Sequence, residues 1–323
     1  MSDLQTESAA AGQTPARLIR WLAAVGALVV LLVTTTSALL RVTNAGLGCE
    51  DWPACYGRAA SGGDPVHPPR FARLLHRVAA ATAGGVVLGI GLLALMQPRR
   101  HRRELAVFGI LALLTLGLAT LGRATPGAHV PAVAMGNVLG GMLTASLLTW
   151  LALERHGGDR RAPARLRGLS ILALTLVFLT IGLGVMTSAS YSGLACPALP
   201  SCTMQGSMAE WFPSDLDPWR TSAASRTIHM THRVTAVIAG AVTLALAWSL
   251  GRFSRAGRRL RTLLLAALAL QFLLGIALVK FGLPLPVAIL HNLGAALLFL
   301  ALVATQHELA GARRSEALPA AGS

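Results

Sequence analysis

The chain has 323 residues, of which 54% are hydrophobic and only 13% are charged, and its mean hydropathy is +0.61. Because soluble globular proteins carry roughly 25% charged residues, this composition excludes a soluble domain and predicts an integral membrane protein. The formal net charge of +15 does not indicate a nucleic-acid partner, because the basic residues lie in short clusters between apolar runs and not in one patch.

Eight apolar segments approach the roughly 20 residues that a helix needs to cross a bilayer. They cover residues 18–40, 74–96, 105–121, 133–153, 169–188, 228–250, 263–279 and 287–305. The first segment follows a polar, alanine-rich stretch and has no clear small-residue cleavage site after it, which favours a signal anchor over a cleaved signal peptide. The predicted fold class is an all-α integral membrane protein with eight transmembrane helices.

Basic residues are distributed unequally between the two sides that these helices define. The side with both termini and the connections after helices two, four and six has 18 of the 28 Lys and Arg residues. Positively charged loops stay cytoplasmic, so we expect a multi-pass protein of the cell inner (plasma) membrane with both termini in the cytoplasm. The long connections at residues 41–73 and 189–227, which contain all four cysteines, are then external.

The chain aligns with itself in three blocks that follow the same order. Residues 43–55 (TNAGLGCEDWPAC) match residues 190–202 (SYSGLACPALPSC) at an offset of 147, and LLHRVAAATAGGVV from Leu74 matches MTHRVTAVIAGAVT from Met230 at an offset of 156. VAMGNVLGGML from Val133 matches VAILHNLGAAL from Val287 at an offset of 154. Repeated blocks at nearly one offset indicate a duplicated unit.

The repeat predicts two pseudo-symmetric four-helix bundles fused in parallel. The first covers residues 18–153 and the second residues 169–305. A cytoplasmic linker at residues 154–168 joins them, and cytoplasmic tails at residues 1–17 and 306–323 flank them.

Two histidines of the second half are candidates for a functional site, because ionisable side chains inside membrane spans usually mark one. His232 and His291 are expected about one turn inside the outer ends of helices six and eight. Two neutral imidazoles that face each other across a four-helix bundle suit a six-coordinate heme iron. The alternative is a pair of histidines that bind carbonyl groups or water. Arg233 either pairs with a heme propionate or extends toward lipid headgroups.

The first half repeats this pattern with one ligand missing. His76 and Arg77 match His232 and Arg233, but Asn137 stands where the repeat predicts a second histidine. An amide is a poor iron ligand, so a porphyrin bound here has at most one protein ligand.

Arg73 lies three residues before His76 and on the same helical face, and its repeat partner is His229. For His229 a hydrogen-bond donor beside the heme, a propionate contact and a simple interfacial histidine all stay open.

The cysteines have the same spacing in both halves, which favours the pairs Cys49–Cys55 and Cys196–Cys202, although four cysteines allow three pairings. Each pair either braces an external loop or exchanges electrons as a redox-active thiol pair. Glu50 and Asp51 have no acidic counterparts in the second loop, which makes the first loop the better candidate for acid/base chemistry.

These motifs together resemble the heme A synthase family of cytochrome oxidase assembly proteins. The resemblance rests on GLGCEDWPACYG, the HR of helix two, GLACPALPSC, IHMTHR and LPLPVAILHN, and it extends from about Trp21 to Thr305. It implies that His232 and His291 hold heme b in the second bundle. It also implies that the first bundle receives heme O and oxidises its C8 methyl group to the formyl group of heme A, with His76 as the catalytic residue.

The substrate site departs from the family's pattern at two positions. The family has a glutamate three residues before the helix-two histidine and a histidine on helix four, whereas this chain has Arg73 and Asn137. We expect these two residues, with His76 and Arg77, to contact the substrate. The expected partners are heme O, the farnesyltransferase that makes heme O, and membrane lipid, and a homo-oligomer stays open.

Three other functions stay open at this point. A diverged relative would bind heme without making heme A. A membrane electron carrier of the cytochrome b type explains the histidine pair, but usually has two fully ligated hemes stacked across the bilayer. A thiol oxidoreductase explains the cysteine loops but has no use for His232 and His291.

Overall fold

The computed structural model describes residues 2–44, 50–51, 70–96, 102–124, 131–154, 162–197, 199, 202 and 223–311. Its eight long helices, α1 to α8, are Ser2–Asn44, Arg70–Met96, Arg102–Ala124, Pro131–Ala152, Ala164–Ala189, Ala223–Leu250, Arg255–Lys280 and Leu285–Gly311. A short 3-10 helix, Ser192–Leu194, follows α5. Each long helix contains a segment long and apolar enough to cross a membrane. The predicted fold class is confirmed, and the chain is a multi-pass membrane protein.

Several helices are longer than their apolar segments. Helix α1 begins at Ser2, so it continues through the stretch that we expected to be a polar tail. Helix α6 begins at Ala223, five residues before the predicted start, because Ser225 and Arg226 lower the hydropathy without interrupting the backbone hydrogen bonds of the helix. His232 is therefore nine residues, or about 14 Å, from the start of its helix. This is deeper than the single turn that we expected.

The two bundles are visible in the helix packing. Helix α1 packs against α2 and α4, and α3 also packs against both, which closes a ring of four helices. In the second half α5 packs against α6 and α8, and α7 packs against both. The two rings meet where α1 and α4 contact α5 and α8.

The packing of two glycines extends the repeat to α3 and α7. Gly140 on α4 and Gly294 on α8 are equivalent at the offset of 154. A Cβ on Gly140 would lie 2.9 Å from Leu118 of α3, and a Cβ on Gly294 would lie 2.6 Å from the Oε1 atom of Gln271 of α7. Leu118 and Gln271 therefore occupy equivalent positions, at an offset of 153.

Candidate functional site

A cavity of about 610 Å³ lies inside the second bundle and reaches its contact with the first. Cofactor sites typically have volumes of about 300–1,000 Å³ and mostly apolar walls, and this cavity fits both criteria. Its charged, imidazole and amide residues are Arg41, His229, His232, Arg233, Gln271, His291 and Asn292. Four helices, α1, α6, α7 and α8, supply them, and one of these, α1, belongs to the first bundle.

His232 points from α6 toward α5, and its Nδ1 atom lies 3.1 Å from the backbone carbonyl oxygen of Thr180. A carbonyl oxygen only accepts hydrogen bonds, so Nδ1 carries the proton and Nε2 keeps its lone pair. Gly184, one turn after Thr180, leaves space for the ring, because a Cβ there would lie 3.0 Å from the Cε1 atom of His232. Metal-binding histidines typically have this arrangement, in which one nitrogen is held by a carbonyl and the other is available.

His291 points from α8 toward α7. The Nε2 atom of Gln271 lies 3.3 Å from its Nδ1 atom and 3.2 Å from its Nε2 atom. Gly275, one turn after Gln271, leaves space for the ring, because a Cβ there would lie 3.3 Å from Cε1. Within the described part of the chain, the buried Oε1 atom of Gln271 has no hydrogen-bond partner. The two histidines thus line one cavity from α6 and α8, and each is backed by a glycine of the neighbouring helix.

The other two predicted residues of this half attach α6 to the segment that follows α5. The Nη2 atom of Arg233 donates a hydrogen bond of 2.6 Å to the carbonyl oxygen of Cys196. The Nδ1 atom of His229 lies 3.1 Å from the carbonyl oxygen of Ser192, and the side chain of His229 is buried. Both residues also line the cavity.

The disulfide Cys196–Cys202 forms as predicted, and Cys196 is buried. The predicted pair Cys49–Cys55 lies outside the described residues. Glu50 and Asp51, between those two cysteines, are exposed.

In the first bundle His76 points from α2 toward α1, and its Nδ1 atom lies 3.1 Å from the hydroxyl oxygen of Thr36. That hydroxyl group lies 2.9 and 3.0 Å from the carbonyl oxygens of Leu32 and Val33, to which it donates. Its oxygen therefore accepts the proton of His76 Nδ1, and Nε2 keeps its lone pair, as in His232.

The remaining residues predicted for the first bundle differ in exposure. Arg77 is exposed, whereas its repeat partner Arg233 is half-buried. Arg73 and Asn137 are both half-buried. Asn137 is the seventh residue of α4, as His291 is of α8, so the two helices present their equivalent residues at the same distance from their starts.

Three residues of the site were not identified from the sequence. One is Gln271, a single amide in the otherwise apolar part of α7. The other two are Arg41, near the end of α1, and Asn292 on α8. The Nε atom of Arg41 donates to the hydroxyl oxygen of Ser188 at 2.9 Å, and its Nη2 atom donates to Oδ1 of Asn292 at 2.8 Å. A basic residue inside a membrane span was a signal available for Arg41.

No group of three or more His, Cys, Asp or Glu side chains in the described ranges is placed to hold a metal ion. A heme iron needs no such group, because the porphyrin supplies four of its ligands and protein side chains supply only the axial ones.

Comparison with known proteins identifies the family. A family model described as cytochrome oxidase assembly protein matches residues 19–303. The chain belongs to this family. It is 35% identical to a heme A synthase of Shewanella oneidensis over 90% of its own length and 96% of the relative's length. It is 28% identical to a heme A synthase of Halalkalibacterium halodurans, over 87% of this chain and 92% of the relative. The predicted resemblance is thereby confirmed.

A third relative, heme A synthase 1 of Acidiphilium cryptum, is 32% identical over 55% of this chain and 51% of its own length. The family model extends through both bundles, so the matched residues 19–303 include His76, Asn137, His232 and His291.

Proposed function

We propose that this chain is an oxidoreductase that converts heme O to heme A for the assembly of cytochrome oxidase, by oxidising the C8 methyl group to a formyl group. The observation that carries the proposal is the 35% identity to a heme A synthase over 90% of the chain. The cavity lined by His232 and His291 supports it independently of that name.

We place heme b in the cavity of the second bundle, with His232 and His291 as its axial ligands. Three features fit this group: the cavity's volume and apolar walls, the available Nε2 lone pair of His232, and the glycines that leave space for both rings. When bound, heme b supplies one-electron redox chemistry. The Thr180 carbonyl orients the His232 ring and increases the basicity of its Nε2 atom. Arg233 and His229 are the proposed contacts at the propionate side.

The first bundle, residues 18–153, is the proposed substrate half, and the second, residues 169–305, is the proposed heme b half. We propose that His76 holds the substrate through Nε2, and the hydrogen bond between its Nδ1 atom and Thr36, which fixes the tautomer, supports this role. Asn137 offers no second ligand, so one face of a porphyrin at His76 stays open for chemistry. Arg73 and Arg77 are the proposed substrate contacts on the same helix, and a farnesyltransferase is the proposed source of heme O.

We assign a structural role to the disulfide Cys196–Cys202. The carbonyl oxygen of Cys196 accepts the hydrogen bond of Arg233, so the disulfide holds the loop that positions this arginine. We assign the same role to Cys49–Cys55 by the repeat.

Pigment extraction tests the proposed function. In a bacterial host that makes heme O but no heme A, expression of the full chain is expected to produce heme A, detected by chromatography of acid–acetone extracts. The control is the host with the empty vector. Low-spin heme on the purified chain without heme A in the extract would contradict the synthase function and would favour a diverged heme-binding relative.

The proposed orientation has its own test. Reporter fusions after Gln97, Gly157 and Ser254 are expected to behave as cytoplasmic, because the basic clusters lie on that side. Fusions within residues 61–64 and 207–215 are expected to behave as external. A cytoplasmic signal from either of these two segments would contradict the orientation.

A further inference from the structure

Arg41 is the charged residue that the first bundle contributes to the cavity of the second. It belongs to the last turn of α1, lines the cavity, and binds Ser188 on α5 and Asn292 on α8. Asn292 follows His291 directly, so the guanidinium lies beside the helix that carries a proposed heme ligand. Arg41 and Ser188 are separated by 147 residues, the offset of the cysteine-loop repeat. They are therefore equivalent residues of the two halves that contact each other.

This arginine has no carboxylate partner in the described part of the chain, because its two hydrogen bonds go to a hydroxyl and an amide oxygen. The sequence explains why. The eight spans together contain one acidic residue, Glu308, which is 16 residues and thus about 24 Å along α8 from Asn292. A charge in a bilayer-embedded cavity is costly unless an opposite charge accompanies it. A bound ligand with an acidic group would supply such a charge.

We propose that Arg41 binds a propionate carboxylate of the heme in the second cavity, an inference that rests on the placement of heme b proposed above. A guanidinium has five N–H donors, and the two hydrogen bonds to Ser188 and Asn292 use two of them. The remaining donors suit a carboxylate, which arginine often binds through two parallel hydrogen bonds. Ser188 and Asn292 then act as the support that fixes the orientation of the guanidinium.

The repeat indicates that this contact is specific to the cavity of the second bundle. The residue equivalent to Arg41 is the neutral Ser188, so α5 brings no cation toward the first bundle at this position. Arg41 therefore distinguishes the two porphyrin sites by charge. Its position on α1 also makes the second site composite, since its carboxylate contact comes from the other bundle.

The test compares two probes, iron protoporphyrin IX and its dimethyl ester, which lacks ionised carboxylates. Full-length chain from heme-depleted cells is titrated in neutral detergent, and low-spin absorbance measures binding. Wild type is expected to bind the diacid more tightly than the ester. Arg41→Met is expected to weaken diacid binding by about 10- to 100-fold, as for the loss of a charge-assisted hydrogen bond, and to leave ester binding unchanged. Arg41→Lys should retain part of the preference, and the control Ser188→Ala most of it.

The outcomes separate the alternatives. Equal affinity of wild type for the two probes would overturn the contact without any variant. Equal weakening of both probes by Arg41→Met would mean that Arg41 only links the bundles. If Arg41→Met keeps the full preference for the diacid, the guanidinium of Arg41 in the wild type binds another anion, such as a lipid phosphate, and the inference is wrong. If wild type forms no low-spin complex with either probe, the heme b placement fails and the inference fails with it.

Discussion

Replacing either His232 or His291 with alanine is expected to abolish the low-spin heme spectrum of the purified protein. Each imidazole supplies one axial ligand, and a six-coordinate low-spin iron needs both. The cavity lining contains one other histidine, His229. Its ring is buried and held at Ser192, so it is not expected to replace either ligand. The measurement is a reduced-minus-oxidised optical spectrum with the heme content per chain.

His229→Ala is the matched control, because it removes a histidine from the same cavity wall without removing a proposed ligand. It should keep the low-spin bands. Glycine variants at 232 and 291 add a rescue experiment, since added imidazole should enter the vacated space and restore the bands. Unchanged spectra in both His232→Ala and His291→Ala would contradict the ligand assignment.

The sequence predicts the number and order of the helices because each span is a separate apolar run, and it singles out His76, His232 and His291 because each is an ionisable residue in such a run. Hydropathy does not predict where a helix begins. The helical hydrogen bonds of α6 continue through Ser225 and Arg226, so His232 lies deeper than the apolar segment suggests.

The hydrogen-bond partners of the histidines also could not be predicted from the sequence. His232 binds a backbone carbonyl, which every residue has, so no residue type marks Thr180. Helices α3 and α7 show little similarity, so the equivalence of Leu118 and Gln271 became visible only through the packing of Gly140 and Gly294. The contacts of Arg41 join the two bundles, and a self-alignment of the chain carries no information about such contacts.

The equivalence of Leu118 and Gln271 also shows how the first bundle differs from the second. At the offset of 153, Gly122 on α3 corresponds to Gly275 on α7, the glycine that leaves space for the ring of His291. A Cβ on Gly122 would meet no other atom within 4 Å, so no neighbouring atom of the described residues occupies the space beside this glycine. Leu118 stands in the place of Gln271, so the amide beside His291 has no counterpart in the first bundle.

Asn137→His is therefore expected to add a second low-spin heme per chain, held between His76 and the new side chain at position 137. The imidazole ring is larger than the asparagine side chain, and we expect it to lower the free energy of unfolding by about 1–3 kcal/mol at most, because Gly122, the counterpart of Gly275, is retained. Adding Leu118→Gln should increase the fraction of low-spin heme by supplying the missing amide, and Arg73→Glu should restore the carboxylate of the family's pattern. Bound heme per chain and extracted heme A are measured for each protein.

His76→Ala decides whether the first bundle is the substrate site. In a chain that makes heme A, this variant should eliminate heme A and leave the heme of the second bundle in place, because His232 and His291 lie in the second bundle. Combined with Asn137→His, it should also prevent the gain of the second low-spin heme, since one of the two new axial positions is then empty. If His76→Ala changes neither the heme A nor the bound heme of an active protein, the first bundle does not bind the substrate through this residue, and the division into a substrate half and a heme b half is wrong.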